Sequence, residues 1–546
     1  MIEHLVKNFL QGLTVAFLFI GQPVLSNIFT EKNDTLLVRE WIHLDPQDDG
    51  IAGVSINKAY QLLGNRPSKT VLVAVIDSGF DLDHEDLKGH YWINMNEISD
   101  NGIDDDKNGY VDDVYGWNFI GGAKGNVVYD TYEITREYNR LKSKYGDTET
   151  GKGKEFQYWQ EIKSNYEIEY LQAEMSAKKY SEVLTNIPRY YNLIQNYLDQ
   201  DSLTYEEVFA IDSEDSIVND AQKLIGKLLG YFGNRTSPEE MVLAFSSTKE
   251  NYLMELNYGY NLQFETRDII GDNYNDKKEK YYGNNAVYDY SGMMGGHGTH
   301  VSGIIAADRN NDIGAKGIAN NVKILPIRTV PNGDERDKDV ANSIYYAVNN
   351  GARIINMSFG KHYSPERNIV EKAIRYAEKK GVLIVHAAGN DNENMDLVDV
   401  FPTRNPIRGN KIPKNMIVVG ASSKDMDEGL TAKFSNYGKS SVDFFAPGMY
   451  VYSTLPENKY KASSGTSMAA PVVSGVAAML MSYFPELTAK EIKEVLMESS
   501  LKYSGEVYLP GTRDLVDFHQ LSITGGLINA YEAVKIAQNK IKLGSK

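Results

Sequence analysis

Val71 to Ile76 reads VLVAVI, six apolar residues in a row, four of them β-branched, closed by Asp77, Ser78 and Gly79. A strand with one wet face would alternate apolar and polar positions. One without polar positions is covered on both sides, as in the parallel sheets of α/β proteins. A chain built round such a strand must supply helices to both faces of its sheet. The second half does so: Lys338 to Asn350 has helical spacing at Val340, Ile344, Ala347 and Val348, and Ala352 to Met357 reads as a strand. Ser364, Pro365 and Glu366 read as a helix start and Gly381 as its stop, with further strands at Val382 to His386 and Met416 to Gly420. This alternation predicts an α/β fold with a doubly wound, mostly parallel sheet.

One region breaks the rhythm. From about Ala123 to Tyr290 there is no buried-strand run, and 21 of the 37 tyrosines fall there. Asp215 to Gly230 carries Val218, Ala221, Leu224, Ile225 and Leu228 at helical spacing, and Ser237 to Glu240 reads as a capping box. A mainly helical insertion follows, its tyrosines read as packing, rings buried and hydroxyls wet. The N-terminus has a different character. Residues 9–29 carry no charge, Lys7 precedes them, and Leu13 to Ile20 form an apolar core with small residues at Val24 and Ser26. Both a secretory signal over 1–26 and an uncleaved anchor fit that pattern, so the expected location is extracytoplasmic: secreted, periplasmic or cell-surface. No other stretch reads as long and apolar enough to cross a membrane. Net charge is −17, which denies the chain the basic surface that coating a nucleic acid requires. Cysteine is absent, which removes disulfides, thiol catalysis and Cys-ligated metals but leaves the compartment open.

Three segments carry chemistry in combination. Asp77 stands at the carboxyl end of a buried strand, where reactive groups of open α/β sheets collect. His297 opens the helix His297-Gly298-Thr299-His300-Val301-Ser302-Gly303, and Ser467 lies in Ser464-Gly465-Thr466-Ser467-Met468-Ala469-Ala470-Pro471 at the start of a small-residue helix whose first turn tolerates Pro471. A serine hydroxyl needs a base, and an imidazole base needs a carboxylate to fix its tautomer and stabilise its cation. Alone, each residue reads as an ordinary cap or turn. Together they specify a nucleophile, a base and an orienting acid. The tetrahedral oxyanion then needs a fixed donor, and Asn390 in Ala387-Ala388-Gly389-Asn390 supplies a neutral amide at another strand end.

These segments resemble the subtilisin family of serine peptidases in the order Asp, His, Ser and in the wordings IDSG, HGTHVSG, NMSFG, AAGN and SGTSMAAP. The resemblance covers roughly 40–120 and 290–538. It implies a serine endopeptidase acting on protein or peptide substrates through an acyl-enzyme, without a catalytic cofactor. Asp77 would orient the base, His297 be the base, Ser467 the nucleophile and Asn390 the oxyanion donor. Ser358, Phe359 and Gly360 resemble the strand along which substrate pairs, and Ala387 to Gly389 the opposite wall of the specificity pocket. The expected layout is a signal or anchor at 1–26, an N-terminal extension and first part of the peptidase domain at 27–122, the insertion at 123–290, the remainder at 291–538 and a tail at 539–546. Two departures stand out. Asp77 and His297 are 220 residues apart, far more than in compact subtilisins, and about 45 residues separate the signal segment from Val71, few for an inhibitory prodomain.

Metal chemistry divides by donor type. His297 and His300 share a helix face, but no Glu lies between them to complete a zincin pattern, so His300 reads as structural. Asp104, Asp106, Asn108 and Asp112 place oxygen donors at alternate positions round Gly109, like the first half of an EF-hand loop without its terminal Glu. Structural calcium and a solvated acidic turn both fit. The resemblance implies a second calcium site with side-chain oxygens from Asp86 and Asn311 and carbonyls from Ile313 and Ala315, on a loop one residue longer than in familiar subtilisins. Asp334, Glu335 and Asp391 near the expected cleft suggest tolerance for Lys or Arg on the acyl side, with broad apolar preference the open alternative. A rival of another class is a non-catalytic, calcium-stabilised binding protein working through its helical insertion.

Overall fold

The computed structural model describes residues 39–146, 148, 150–288, 296–407 and 413–544; the signal or anchor reading of 1–26 and the boundary at 290 fall outside them. The described chain divides into two compact units, Ile134–Gln263 and the described parts of Glu31–Glu133 with Phe264–Lys546.

The larger unit is built on a nine-stranded sheet. Its strands are β1 (Val71–Asp77), β2 (Trp117–Asn118), β3 (Val322–Arg328), β4 (Ile354–Met357), β5 (Leu383–Ala387), β6 (Met416–Ser422), β7 (Phe444–Pro447), β8 (Leu501–Lys502) and β9 (Gly526–Leu527). They lie in the order β8–β9–β7–β6–β5–β4–β1–β3–β2, all neighbours parallel except β8 and β9. The fold is α/β with a mostly parallel sheet, as the apolar run at Val71 requires. The chain runs from β1 to β3 on one side and then to β4 on the other, so the carboxyl ends of β1, β4 and β5 meet at a topological switch point.

Four helices frame this end: α1 (His297–Ala306), α2 (Asp337–Asn349), α3 (Arg367–Lys379) and α4 (Thr466–Tyr483). The expected start of α3 at Ser364 shifts to Arg367: the cap position falls on Glu366 without a side-chain cap, and the Ser364 hydroxyl is turned to Asp337 Oδ1 at 2.8 Å. Helix α4 is eighteen residues long and apolar enough to cross a membrane by composition, which the sequence reading passed over; 89% of it is buried inside the protein. Its apolar surface is spent against the sheet. It is also the one helix that passes that test among the described residues.

The smaller unit is helical. A 45-residue helix, Lys154–Leu198, packs with Ser216–Phe232 and Pro238–Met254. Asp215 caps the second helix, whose buried residues include Val218, Ala221, Ile225 and Leu228, and Ser237 with Glu240 forms a capping box on the third. The tyrosines pack ring on ring: Tyr138 stacks on Tyr166 at 4.2 Å and Tyr180 on Tyr252 at 5.7 Å.

Within the larger unit, the segments on either side of the helical stretch close on the start of α2. Arg336 pairs bidentately with Asp130 at 2.8 and 3.0 Å and reaches Thr266 Oγ1 at 3.5 Å. Arg267 pairs with Asp339 at 2.7 and 3.2 Å, and Lys338 with Asp272 at 2.7 Å. All of these charges are buried, so each depends on its partner.

Candidate active site

The carboxyl ends of β1, β4 and β5 and the N-termini of α1 and α4 border one cleft of about 300 Å³. Asp77, His297, Ser467, Asn390, Ser358, Phe359, Gly360, Ala387 and Gly389 all line it. Asp77 ends β1 at 2% exposure, and its Oδ1 accepts from His297 Nδ1 at 2.7 Å and from the Ser78 N–H at 2.8 Å. Since that carboxylate oxygen accepts, His297 Nδ1 carries the proton and Nε2 is left bare as a base. The imidazole is a quarter exposed, open to a reactant.

The sequence places Ser467 one residue into α4, and the turn that holds it depends on a proline. Pro471 has no N–H, so the Ser467 carbonyl lacks its helical partner four residues on. The Ser358 hydroxyl takes that place, donating to the Ser467 carbonyl at 2.9 Å. Ser358 is held in turn by Asn356 Nδ2 at 3.0 Å, and Asn356 Oδ1 accepts from Ser474 at 2.8 Å. The Ser467 hydroxyl meets the Ser358 carbonyl at 3.0 Å. A sequence reading that tolerates Pro471 does not see that the proline frees an acceptor for the neighbouring strand.

Asn390 is oriented by a residue that sequence reasoning quoted without assigning a part. Thr466 donates to Asn390 Oδ1 twice, from its N–H at 2.9 Å and its hydroxyl at 3.0 Å, while that hydroxyl accepts from the Gly389 N–H at 3.1 Å. With its oxygen held, the amide can offer only its NH₂ to a reactant. A second unassigned residue is His386, buried in β5, whose Nε2 donates to the Phe359 carbonyl at 2.9 Å and fixes the cleft wall from behind.

The subtilase family model matches residues 68–525, most of the chain. The chain belongs to the subtilase family. It is 40% identical over 219 residues to a thermophilic serine proteinase of Bacillus sp. (strain AK1), covering 40% of this chain and 50% of that protein. It is 35% identical over 241 residues to thermitase of Thermoactinomyces vulgaris, covering 44% of this chain and 75% of that protein. A solved protease of Pseudoalteromonas arctica PAMC 21717 is similar at 20% identity and a TM-score of 0.44, covering 91% of this chain and 97% of that one.

In this subtilase the other expected site residues fall into separate groups. His300 is buried and its Nε2 donates to the Lys461 carbonyl at 2.9 Å, while burial pulls its pKa down to about 4. Asp86 is fully buried: Oδ1 accepts from Asn311 Nδ2 at 2.8 Å and Oδ2 from the Ala315 N–H at 2.8 Å. In the acidic loop, Asp104 accepts from the Asn108 and Gly109 N–H groups, and Asp112 from those of Asn101 and Gly102. Asp106 instead converges with Glu97 and Asp113, each offering an oxygen within 4.8 Å of the others. Burial pushes Asp113 up to about 6, with the Asp106 charge adding to the effect. Glu97 and Asp113 went unassigned because their meeting depends on the loop's path and on no fixed spacing. Of the three carboxylates expected to flank the cleft, Asp334 accepts from the Glu133 N–H at 2.8 Å and Glu335 is 2% exposed and pushed up to about 8, first by burial. Only Asp391 stands half exposed on the rim.

Proposed function

We propose that this subtilase is a serine endopeptidase, exported from the cytoplasm, that hydrolyses protein or peptide substrates through an acyl-enzyme. The observation that carries the reading is the 2.7 Å contact between the buried Asp77 carboxylate and His297 Nδ1 in the cleft that also holds Ser467 and Asn390. His297 Nε2 takes the Ser467 proton as the hydroxyl attacks the scissile carbonyl, and Asp77 stabilises the imidazolium that forms. The oxyanion receives the Asn390 amide and the Ser467 N–H, at a helix N-terminus whose dipole favours negative charge. His297 then protonates the leaving amine, and water repeats the sequence on the acyl-enzyme. Extended substrate would pair with Ser358 to Gly360, with its side chain between that strand and Ala387 to Gly389.

Structural calcium belongs to the same reading. The donors at Glu97, Asp106 and Asp113 are oxygen-only, which suits a hard cation, and at the Asp86 site Asn311 directs its Nδ2 to the carboxylate. Half a turn of the Asn311 amide would exchange its Nδ2 for Oδ1 toward Asp86, giving two side-chain oxygens there. Such an ion would neutralise crowded carboxylates and takes no part in the chemistry.

The test is Ser467→Ala. The purified variant should fold, fail to react with a fluorophosphonate probe and show no measurable casein hydrolysis. Retained hydrolysis would exclude Ser467 as the nucleophile.

A further inference from the structure

Outside the machinery just described, one cluster on the cleft rim mixes nitrogen and oxygen donors. We propose that His362, Asp391 and Glu393 form a binding site for a divalent transition-metal ion of the zinc class. His362 Nε2 lies 3.9 Å from Asp391 Oδ2, and His362 Nδ1 lies 3.8 Å from Glu393 Oε2. One donor atom from each residue falls within 4.8 Å of the other two. The His362 contacts at 3.9 and 3.8 Å are to different ring nitrogens, and one ion takes only one of them. Ligands round zinc at ~2.0–2.1 Å stand about 3.3 Å apart, so donor atoms now within 4.8 Å of one another must close by up to about 1.5 Å for the set to form. An imidazole with two carboxylates is a zinc-type donor set, whereas calcium takes six to eight oxygens. Two carboxylate charges also balance the ion.

The three residues come from two segments held in place by the fold. The Asp391 and Glu393 N–H groups both donate to Asn436 Oδ1, at 3.0 and 2.8 Å, and Asn436 Nδ2 donates to the Ala388 carbonyl at 3.0 Å. Asn392 between them turns left-handed at φ 53°. Lys361, next to His362, exchanges both backbone hydrogen bonds with Phe401. Independently of this scaffold, Glu393 Oε2 is shielded from solvent and has no hydrogen-bond partner among the described residues. Its nearest cationic group is the His362 imidazole at 3.8 Å, beyond hydrogen-bond reach, which leaves room for an ion between them.

His362 and Asp391 line the cleft, and Asp391 directly follows Asn390. An ion between them stands in the path of an extended substrate. Its effect on turnover rests on the peptidase reading; its binding does not. Zinc should therefore bind whatever the chain catalyses, and should raise KM where the chain is a peptidase.

The full-length chain carrying Ser467→Ala, which cannot digest itself under the peptidase reading, would be titrated with zinc by calorimetry. Millimolar calcium keeps the oxygen-only sites out of competition. One equivalent should bind. Adding His362→Ala or Asp391→Asn should each weaken binding by ~10-fold or more, the scale on which metal sites respond to lost support. Asp113→Asn, in the oxygen-only cluster, should leave zinc binding unchanged. Absence of binding, or equal affinity in the His362→Ala and Asp391→Asn chains, would overturn the site. With Ser467 intact, zinc should raise KM for a peptide substrate and lose that effect in His362→Ala, each compared with its own zinc-free rate. Binding without any change in KM would overturn the placement on the substrate path. A chain inactive with Ser467 intact would instead defeat the peptidase reading, leaving the calorimetry to decide the metal site.

Discussion

Thr466 lines the cleft beside Ser467 and holds the Asn390 amide by its oxygen. Its N–H and hydroxyl both bind Asn390 Oδ1, and its hydroxyl also receives the Gly389 N–H. Thr466→Val keeps the shape and one of these donors but removes the hydroxyl, so the amide loses a restraint worth ~1–1.5 kcal/mol. If that restraint matters in the transition state, kcat should fall about tenfold with KM little changed. Steady-state kinetics on a peptide substrate would check it, and a change in KM alone would assign Thr466 to substrate binding. That Asp77, His297, Ser467 and Asn390 belong to one cleft was legible because their residue types and local wordings are short and specific. Thr466, inside one of those wordings, was legible as a letter but not as a donor, since its partner lies 76 residues away. His362, Asp391 and Glu393 had no local signature at all: one segment supplies the imidazole and another the two carboxylates.

At the scale of elements, Pro471 and Ser358 act as one device. The proline opens a carbonyl in α4 and the serine from the strand segment closes it. Ser358→Ala should leave that partly buried carbonyl without its partner and cost ~1 kcal/mol of stability. Pro471→Ala restores the missing N–H, so the double variant should be more stable than the two single effects predict. Thermal or urea melts of all four proteins form the double-mutant cycle, and strict additivity would show that the two residues do not share the carbonyl. β1, β4, β5 and β6 were legible from their apolar runs, but β3 was not, its run being broken by Lys323 and Pro326, and neither was the start of α3, where Ser364 bonds to Asp337 on another helix. The acidic loop was legible in part. Asp104 and Asp112 turn out to bind their own loop's N–H groups, while Asp106 meets Glu97 and Asp113. If calcium fills these sites, it adds about 2.7 kcal/mol at a hundredfold excess over Kd. Chelation should then shorten the half-life of activity at elevated temperature and lower Tm, while initial rates before unfolding stay the same. Equal half-lives and equal Tm with calcium and with chelator would mark the loops as self-satisfied turns.

Over the whole molecule, buried ionisable groups set opposing pH trends. His300 and His386 are both pulled down to about 4 by burial, so they stay neutral in the fold while the unfolded chain protonates near 6.5. Their contribution is complete above 6.5 and is lost as pH falls toward 4. Glu335 runs the other way. Burial raises it from 4.5 to about 8, against the attraction of Lys361 and with repulsion from Asp334 and Asp337. The unfolded carboxyl ionises first, so stability falls as pH rises from 4.5 through 8. Glu335→Gln should therefore raise Tm at about pH 8 and change it little near pH 4.5, as calorimetric scans across that range would read; a uniform shift would point to packing instead. The overall α/β class was readable because parallel strands announce themselves. This charge balance was not, because it depends on which residues the fold removes from water.

The ion pairs at the start of α2 have a further consequence for how such a chain can change over time. Asp130 and Thr266 both reach Arg336, and Arg267 closes on Asp339 three residues later. The excursion between them leaves and re-enters through one doorpost. Closing a longer excursion costs only the logarithm of its length, and that cost is met by pairs that do not depend on what lies in between. The sheet is thus indifferent to the content of the excursion, provided both ends keep their grip. Residues 134–263 should therefore be exchangeable or extendable as one cassette while the strand order of the sheet is kept.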